Sequence, residues 1–168
     1  MEHCAYIGVG SNQGRKEENC RGAIAELGRI PQTHVREVSA WYATEPWGMA
    51  STEWYVNGVA VIDTGLRPEI LLKYCQALER KMGRLPNSQR WADRVIDLDI
   101  LFFDDMVLEG PGLVIPHPEL HRRRFVLVPL CKIAPNLTHA RLGSDIRELL
   151  ARVEDDGRVH EIVSPGVN

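Results

Sequence analysis

The feature that most restricts the fold of this chain is the order of its strand-like and helix-like hydrophobic segments. Alternating or continuous apolar runs predict strands, and apolar residues three and four apart predict helices. The predicted elements are a strand at 3–11, a helix at 16–28, strands at 33–43 and 54–64, a helix at 68–82 and a strand at 95–103. This order is that of the split βαβ unit. We therefore predict an α+β, ferredoxin-like α/β sandwich, in which an antiparallel sheet carries helices packed on one face.

The chain beyond residue 103 is expected to finish this fold rather than to form a second domain. The stretch 109–112 is rich in turn residues, and short helices are predicted around 125–133 and 144–153. A length of 168 residues suits one ordinary domain, which buries roughly two-thirds of its unfolded surface. We accordingly predict a single domain that spans 1–168.

Composition and charge exclude several classes of protein. With 44% hydrophobic and 26% charged residues, the chain is too apolar to be disordered. It has no apolar stretch of the roughly 20 residues that span a bilayer, and its first residues lack the pattern of a signal peptide. The formal net charge of −3 argues against a general nucleic-acid surface. We expect a cytoplasmic protein without membrane or nucleic-acid partners, and a monomer, since no exposed apolar stripe is evident.

The four cysteines agree with this location. Cys4, Cys20, Cys75 and Cys131 are widely spaced and include no CxxC pair. Such spacing is typical of small apolar residues in a reduced protein rather than of a disulfide scaffold. We expect four free thiols.

The triplet Asp97-Leu98-Asp99 is the most informative signal of a site. In a strand, residues two apart point to the same face and lie about 7 Å from each other. The face of the carboxylates is expected to include apolar residues at 95, 101 and 103, and the opposite face Ile96, Leu98, Ile100 and Phe102. Two carboxylates side by side suit Mg²⁺, and two such ions could hold a polyphosphate. The alternative is a pair of solvated aspartates, since Asp-x-Asp is common by chance.

Arginines surround this strand in the sequence. Arg84, Arg90 and Arg94 precede it, and the triplet 122–124 follows. Guanidinium groups bind phosphate oxygens through two parallel hydrogen bonds and keep their charge. With a metal site they provide what phosphoryl transfer needs, which is positioning and charge neutralisation. Each arginine taken singly could equally be a solvated surface cation. The chain has neither a P-loop nor a kinase GxGxxG, and the glycines of 8–10 more simply allow close packing.

Aromatic and amide side chains suggest a site for a flat ligand. Tyr55 and Phe125 could stack on a ring, and the Asn57 amide could bind donors and acceptors along its edge. Each ring could instead belong to the core. Trp91, in a polar loop, suggests a lid that packs on closure. His117, between two prolines, could reach a phosphate or form a stiff turn.

Several of these residues occur in segments that together resemble one enzyme family. The segments follow one another in order between residue 5 and about residue 135. They are Gly10-Ser11-Asn12, Tyr42-Ala43-Thr44, Tyr55-Val56-Asn57, Gln76-Ala77-Leu78-Glu79, Arg90-Trp91, the strand from Ile96 to Leu101, and Pro116-His117-Pro118 continuing to Arg123-Arg124-Phe125. In this combination the chain resembles the 6-hydroxymethyl-7,8-dihydropterin pyrophosphokinases of folate biosynthesis.

The resemblance implies a ferredoxin-like fold and a Mg²⁺-dependent transfer of pyrophosphate from ATP to the hydroxymethyl group of the pterin, with release of AMP. It implies that Asp97 and Asp99 hold two Mg²⁺ ions and that Trp91 belongs to a closing lid. The implied catalytic residues are Arg84, Arg94, Asp97 and Asp99; the implied ATP site adds Gln76, Glu79, Ile100, His117 and Arg123; and the implied pterin site consists of Thr44, Tyr55, Asn57 and Phe125. The general base stays open, with Asp99 as the nearest candidate.

The chain departs from the family pattern at four places. Ala92-Asp93 stands in place of Gly-Pro, the loop around Pro86 lacks a second basic residue, Gly112 stands where some relatives have arginine, and Lys132 replaces a glutamate. None of these changes touches the aspartates or the pterin residues. Two other hypotheses stay open. One is another Mg²⁺-dependent phospho- or nucleotidyltransferase with a different acceptor, and the other is a catalytically silent ferredoxin-like module that binds a nucleotide or a protein.

Overall fold

The computed structural model describes residues 2–46, 52–83 and 95–163. The elements within these ranges are β1 (His3–Ser11), α1 (Lys16–Leu27), β2 (Thr33–Val38), β3 (Tyr42–Thr44), β4 (Tyr55–Thr64), α2 (Pro68–Lys81), β5 (Asp97–Phe103), β6 (Leu108–Gly110), β7 (Leu113–Ile115), α3 (Arg124–Ile133), β8 (Thr138–His139), β9 (Ser144–Asp145), α4 (Ile146–Arg152) and β10 (Val159–Glu161). A one-turn 3-10 helix at Leu120–Arg122 precedes α3. All four predicted helices are confirmed, with bounds that differ by one or two residues.

The main sheet is antiparallel, with the strand order β10-β3-β4-β1-β5, and β2 also pairs with β4. The first strand of the chain therefore lies in the interior, between the strand that precedes α2 and the strand that follows it. This order is that of the ferredoxin-like arrangement, and the predicted fold class is confirmed.

The single strand predicted at 33–43 is in fact two strands, β2 and β3, which pair one after the other with β4. Between them the hydroxyl of Ser39 accepts a hydrogen bond from the backbone N–H of Val59 at 2.9 Å. Trp41 follows and lies against Gly58, where a Cβ atom would come within 2.7 Å of the indole. The pairing with β4 is interrupted between β2 and β3, where the ring of Trp41 lies over Gly58. The alternation of residue types in the sequence does not reveal this interruption.

Helices cover both faces of the sheet, so the prediction of helices on one face is wrong. On the first face, α1 and α2 bury a core that includes Ile7, Ile62 and Leu71. On the second face, α3 and α4 bury a smaller core that includes Phe102 and Leu127. A sequence pattern identifies the apolar stripe of a helix, but it does not tell to which face of the sheet the connecting loop leads.

A β-bulge in β5 changes which side chains share a face. The register of β5 against β1 shifts at Leu101, which is one residue too many for its partner strand. Leu101 and Phe102 consequently both pack in the core of the second face, and Phe103 packs in the core of the first. The predictions that Phe102 lies opposite the aspartates and that residue 103 lies beside them are wrong, because the two-residue period does not continue through a bulge.

Three small strand pairings were not predicted: the hairpin of β6 and β7, the pair of β8 and β9, and β10 at the sheet edge. Strand β9 occupies the first two residues of the helix predicted around 144–153, and that helix begins at Ile146. The turn-rich stretch 109–112 lies in the hairpin of β6 and β7, and Gly112 has a φ of +85°. This left-handed conformation is typical of glycine at the third position of a type II turn. The turn therefore gives a local reason for glycine at this departure from the family pattern, whereas Lys132 is simply exposed near the end of α3.

The four cysteines are free thiols, as predicted, and two of them belong to the core. Burial raises the pKa of Cys20 and of Cys75 to about 12, so both stay neutral and act as small apolar residues. Within the described ranges, no helix has the length and apolar character needed to cross a membrane.

Candidate active site

A cavity of about 270 Å³ opens on the second face of the sheet. Side chains and backbone of β1, β3, β4 and β5 form its floor, and the segment 117–119 with the start of α3 forms its wall. Its volume lies near the lower end of the range for small-molecule sites. The predicted site residues that line it are Thr44, Tyr55, Asn57, Asp97, Asp99, His117, Arg123 and Phe125.

The floor is open because β1 carries glycine at two successive positions of this face. Gly8 pairs with Asp99 of β5, and Gly10 pairs both with Asp97 of β5 and with Asn57 of β4. A Cβ atom at residue 10 would lie 2.4 Å from Oδ1 of Asn57. The amide of β4 therefore extends over β1, and the prediction that these glycines allow close packing is confirmed.

Asp97 and Asp99 lie on the cavity side of β5, as predicted from their spacing. Leu98, between them, is buried in the first face, and its N–H donates to Oε1 of Glu79 at 2.9 Å. This hydrogen bond holds β5 from the first face of the sheet, while both carboxylates face the cavity on the second face. Hard carboxylate oxygens in adjacent same-face positions are ligands that Mg²⁺ prefers.

Two backbone contacts orient His117 toward these carboxylates. Its own N–H donates to the carbonyl oxygen of Leu101 at 2.9 Å, and its Nδ1 accepts from the N–H of Glu119 at 3.2 Å. In the neutral ring the proton is therefore on Nε2, which lies 4.0 Å from Oδ2 of Asp99. The ring presents this N–H donor to the cavity.

A buried amide and hydroxyl form the polar edge at the other end. Nδ2 of Asn57 donates to Oγ1 of Thr44 at 2.6 Å, and both residues are buried. Because the hydroxyl accepts this bond, its own proton can be donated to a ligand, while the amide keeps one N–H and its carbonyl oxygen. The pair offers donors and an acceptor along one edge.

The two aromatic rings come from different elements. Tyr55 is paired with Thr44 in the sheet, whereas Phe125 lies in the first turn of α3. Arg123, directly before that helix, is 8% exposed, and its Cζ lies 5.8 Å from the centroid of the Phe125 ring. This cation–π contact holds guanidinium and ring together at the cavity wall.

Comparison with known proteins identifies the family. Residues 6–135 match the model of the 7,8-dihydro-6-hydroxymethylpterin-pyrophosphokinase (HPPK) family. The chain belongs to this family. A relative from Methylorubrum extorquens, named 2-amino-4-hydroxy-6-hydroxymethyldihydropteridine pyrophosphokinase, is 40% identical over 153 residues, which is 91% of this chain and 95% of the relative. A relative of the same name from Pseudomonas aeruginosa is 40% identical over 154 residues, or 90% and 93% of the two chains.

A solved structure extends the comparison to the fold. The HPPK-DHPS of Plasmodium falciparum, crystallised with pteroate, matches 90% of this chain with a TM-score of 0.71 and 16% identity. The present chain covers 44% of that chain, less than half of its length. The likeness agrees with the ferredoxin-like arrangement of the HPPK domain. With the family match, the prediction of a pyrophosphokinase enzyme is confirmed.

Three residues that the HPPK resemblance assigns to ATP do not line the cavity. Gln76 is exposed on α2, Glu79 is 5% exposed and bonded to the backbone of β5, and Ile100 is 3% exposed in the core of the first face. A contact of Ile100 with a nucleotide would therefore have to involve its backbone. The roles of these three residues stay predictions.

Other predicted HPPK residues lie outside the described ranges. They are Arg84, Arg94 and the lid residue Trp91, together with the departures from the family pattern at residues 86, 92 and 93. Their roles stay predictions as well.

Two acidic residues of the cavity are absent from the predicted set. Glu45 follows β3, and Glu119 follows His117 and orients it through its backbone N–H. The backbone N–H and guanidinium of Arg158 lower the pKa of the Glu45 carboxyl. The only sequence signal for either residue is its position next to a motif, because the partner of Glu45 is 113 residues away in the chain.

Proposed function

We propose that this protein transfers pyrophosphate from ATP to 6-hydroxymethyl-7,8-dihydropterin, releases AMP and requires Mg²⁺. The hydroxymethyl oxygen forms a bond to the β-phosphorus, and the bond between that phosphorus and the α–β bridging oxygen breaks. The observation that carries the proposal is one cavity with a carboxylate pair at one end and a polar, aromatic edge at the other. Membership of the HPPK family supports this proposal and sets the reaction in folate biosynthesis, which we expect to take place in the cytoplasm.

Asn57 and Thr44 are suited to the pyrimidine edge of a pterin. That edge offers an amino donor beside ring nitrogen and carbonyl acceptors, and the two side chains offer the complementary acceptor and donors. Their mutual hydrogen bond of 2.6 Å fixes the amide before a ligand arrives. Such preorganisation reduces the entropy lost on binding.

Tyr55 and Phe125 supply stacking surfaces for the same ring. One belongs to the sheet and the other to α3, so a flat ligand between them would contact both layers of the fold. Offset contacts between aromatic rings contribute about 0.5–1.5 kcal/mol beyond the burial of their area. The cation–π contact with Arg123 keeps the Phe125 ring at the wall of the cavity.

Asp97 and Asp99 fit the role of Mg²⁺ ligands. Both carboxylates line the cavity from β5, and their strand is fixed by the bond from Leu98 to Glu79 behind it. Bound there, Mg²⁺ would neutralise charge on the polyphosphate during transfer. We expect two ions, as the family resemblance implies.

His117 and Arg123 are placed to hold the phosphates. The Nε2–H of His117 and the guanidinium of Arg123 both line the cavity, and the guanidinium keeps its charge at every accessible pH. We expect Arg84 and Arg94 to add further positive charge, Gln76 and Glu79 to bind on the nucleotide side, and Trp91 to close over the site. The residues of the chain thus serve mainly to position two substrates and to stabilise charge.

The test is a product assay with purified protein, ATP, Mg²⁺ and 6-hydroxymethyl-7,8-dihydropterin, in which AMP and ADP are separated by chromatography. We expect AMP only when both pterin and metal are present. ADP instead of AMP would indicate an ordinary kinase with another transfer site on ATP. Binding of ATP without turnover would favour the catalytically silent module.

Matched variants of β5 make the assay specific for the carboxylate pair. Asp97→Asn and Asp99→Asn should each lower turnover by at least about 100-fold, the size typical of losing one charge-stabilising group, while far-ultraviolet circular dichroism stays unchanged. Asp105→Asn is the control, because this exposed aspartate lies just beyond the same strand and does not line the cavity. Full activity in either site variant would contradict the metal role.

A further inference from the structure

The C-terminal segment 154–161 lies against the pterin end of the site, although no motif marks it in the sequence. It includes β10, which adds to the sheet edge beside β3, with Val159 opposite Thr44. None of its eight residues belongs to either hydrophobic core. Polar and aromatic contacts, rather than burial in a hydrophobic core, therefore hold this segment in place.

Asp155 caps the start of α3, although it lies 31 residues beyond Arg124 in the chain. Its Oδ2 accepts a hydrogen bond from the N–H of Arg124, the first residue of that helix, at 3.0 Å. Its Oδ1 accepts from the N–H of Gly157 at 2.9 Å, which fixes the carboxylate itself. The residue before the helix, Arg123, makes no side-chain cap of its own. A carboxylate here satisfies an otherwise open N–H and favours the positive end of the helix dipole.

This cap acts at the place where α3 carries its site residues. Arg123 and Phe125 are the neighbours of Arg124 on either side, and both line the cavity. A shift of the first turn of α3 would therefore move the guanidinium and the stacking ring together.

Arg158 holds the end of β3, which forms another part of the predicted pterin site. Its backbone N–H and its Nε donate to the two carboxylate oxygens of Glu45, each at 2.8 Å. The N–H of Glu45 in turn donates to the carbonyl oxygen of Arg158 at 3.0 Å. Glu45 directly follows Thr44, so three hydrogen bonds hold the end of β3 where the polar edge of the site begins.

The segment also contacts the residue before Tyr55. The guanidinium of Arg158 lies over the ring of Trp54, with its Cζ 5.1 Å from the centroid. The ring of His160 stacks on the same indole at a centroid distance of 6.1 Å and an interplanar angle of 9°. The contacts of segment 154–161 thus reach β3, the start of β4 and the start of α3, which are the three places that carry the predicted pterin residues.

We propose that segment 154–161 is a positioning element for the pterin end of the active site, in which Asp155 sets the start of α3 and Arg158 sets the end of β3. The proposal rests on the proposed function in assigning the pterin to this end. Neither residue is offered as a catalytic residue, because neither lines the cavity. The carboxylate pair of β5 lies at the other end of the cavity, so loss of the segment's contacts should affect one substrate more than the other.

The test compares Asp155→Ala and Arg158→Ala with Asp156→Ala. Asp156 is an exposed carboxylate in the same segment, and its side chain makes no hydrogen bond or ion pair with the part of the chain that the structure describes, so its removal alters charge without these contacts. In Asp155→Ala and Arg158→Ala we expect the KM for the pterin to rise about 10-fold, since small displacements of site residues have effects of this size or more. The KM for ATP should change less than about 2-fold, and Asp156→Ala should match the parent.

A second measurement does not depend on turnover. Amide hydrogen exchange of the free protein should become faster at Arg124 in Asp155→Ala and at Glu45 in Arg158→Ala, because each amide loses or loosens its acceptor. Arg158→Lys retains the charge and the backbone N–H, but it lacks the Nε donor to Glu45 and the planar guanidinium over Trp54. It should therefore restore less than half of the lost affinity for the pterin.

The outcomes separate this inference from the proposed function. Faster exchange with an unchanged KM for the pterin would overturn the positioning role. Equal losses for both substrates, with a lower free energy of unfolding, would indicate a purely structural segment and also overturn it. A parent protein that makes no AMP would refute the proposed function; pterin binding measured by fluorescence would then decide the inference, since the variants should still bind about 10-fold more weakly.

Discussion

Strand β1 contributes to the hydrophobic core on one face of the sheet and to the floor of the cavity on the other. On the first face β1 presents Ala5, Ile7 and Val9, all at most 2% exposed, to the core beneath α1 and α2. On the second face the alternate positions include Gly8 and Gly10, which leave the floor of the cavity open. Because successive residues of a strand point to opposite sides, packing and ligand space are separated by a single position.

This difference predicts that substitutions on the two faces will affect stability and ligand binding differently. Changes on the first face should lower the free energy of unfolding while leaving the site of the folded molecules intact. Changes at the cavity residues of the second face should alter ligand binding, whether or not they also lower stability. Three substitutions test this separation, beginning with the largest effect, and a fourth tests the effect of burial on the second face.

Ile7→Ala should have the largest effect on stability. The side chain is fully buried in the core of the first face, and its truncation leaves a cavity that its neighbours fill only partly. We expect the free energy of unfolding to fall by about 2–5 kcal/mol in urea titrations. The KM for the pterin, measured where the variant is still folded, should stay within about 2-fold of the parent. A large change in KM without loss of stability would contradict the separation of the two faces.

Gly10→Ala places a methyl group on the second face of the same strand. The new Cβ atom would meet Oδ1 of Asn57, so the amide must shift away from the position in which it bonds Thr44. We expect stability to fall by about 1–3 kcal/mol, the usual effect of overpacking, and the KM for the pterin to rise about 10-fold or more.

Gly22→Ala is the matched control for this glycine. Residue 22 lies in α1, and a Cβ there would make only an ordinary contact of 3.8 Å with Met82. Replacing a helical glycine by alanine should stabilise the protein by about 0.5–1 kcal/mol and leave the pterin affinity unchanged. If both alanine variants behaved alike, the open floor would have no special role.

The sequence predicts which segments form strands and helices better than it predicts on which face of the sheet each helix and side chain lies. The two-residue period correctly places Asp97 and Asp99 on one face, because a hydrogen-bonded strand fixes that period over short distances. It fails for Phe102, since a bulge at Leu101 intervenes and depends on the pairing with β1 rather than on local residue types. The face occupied by α3 likewise follows from the path of the chain after β7.

Long-range polar contacts are the other part of the site that could not be predicted. Glu45 and Arg158 are hydrogen-bonded although 113 residues separate them, and neither lies in a pattern with helical or strand period. The cap of α3 by Asp155 is of the same kind. Family motifs bring together Thr44, Asn57 and the aspartates because their spacing is distinctive, whereas single charged residues in irregular segments carry no such signal.

Thr44→Val tests the second face with a smaller change. Valine has nearly the shape of threonine, but it cannot accept the hydrogen bond from Nδ2 of Asn57. A buried donor left without its acceptor destabilises a protein by about 1–3 kcal/mol, and we expect the lower end because the cavity admits water. The KM for the pterin should rise by about 10-fold, since the amide loses its fixed orientation and the ligand loses a donor. Thr44→Ser, which keeps the hydroxyl, should recover most of that affinity.

The pH dependence of stability gives the smallest effect, and it again belongs to the second face. His139 is 4% exposed, its ring packs edge-on against Phe102, and its Nδ1 accepts from the N–H of Leu142. Burial lowers the pKa of His139, and the nearby His121 and Arg141 lower it further. In the unfolded chain the histidine binds a proton near its ordinary pKa of about 6.5, whereas the folded protein keeps it neutral to lower pH.

The sign of this effect follows from proton binding. Its contribution to stability is fully present above the unfolded pKa and is lost as the pH falls toward the lower folded pKa, because the unfolded state then binds more protons. We expect His139→Asn, which keeps an acceptor for Leu142, to show a shallower decline in unfolding free energy between about pH 7 and pH 5. His34→Asn provides the control, because it removes a histidine whose ring is exposed rather than buried. An identical slope in His139→Asn and the parent would mean that this ring is protonated equally in both states, and that burial on the second face does not restrict it.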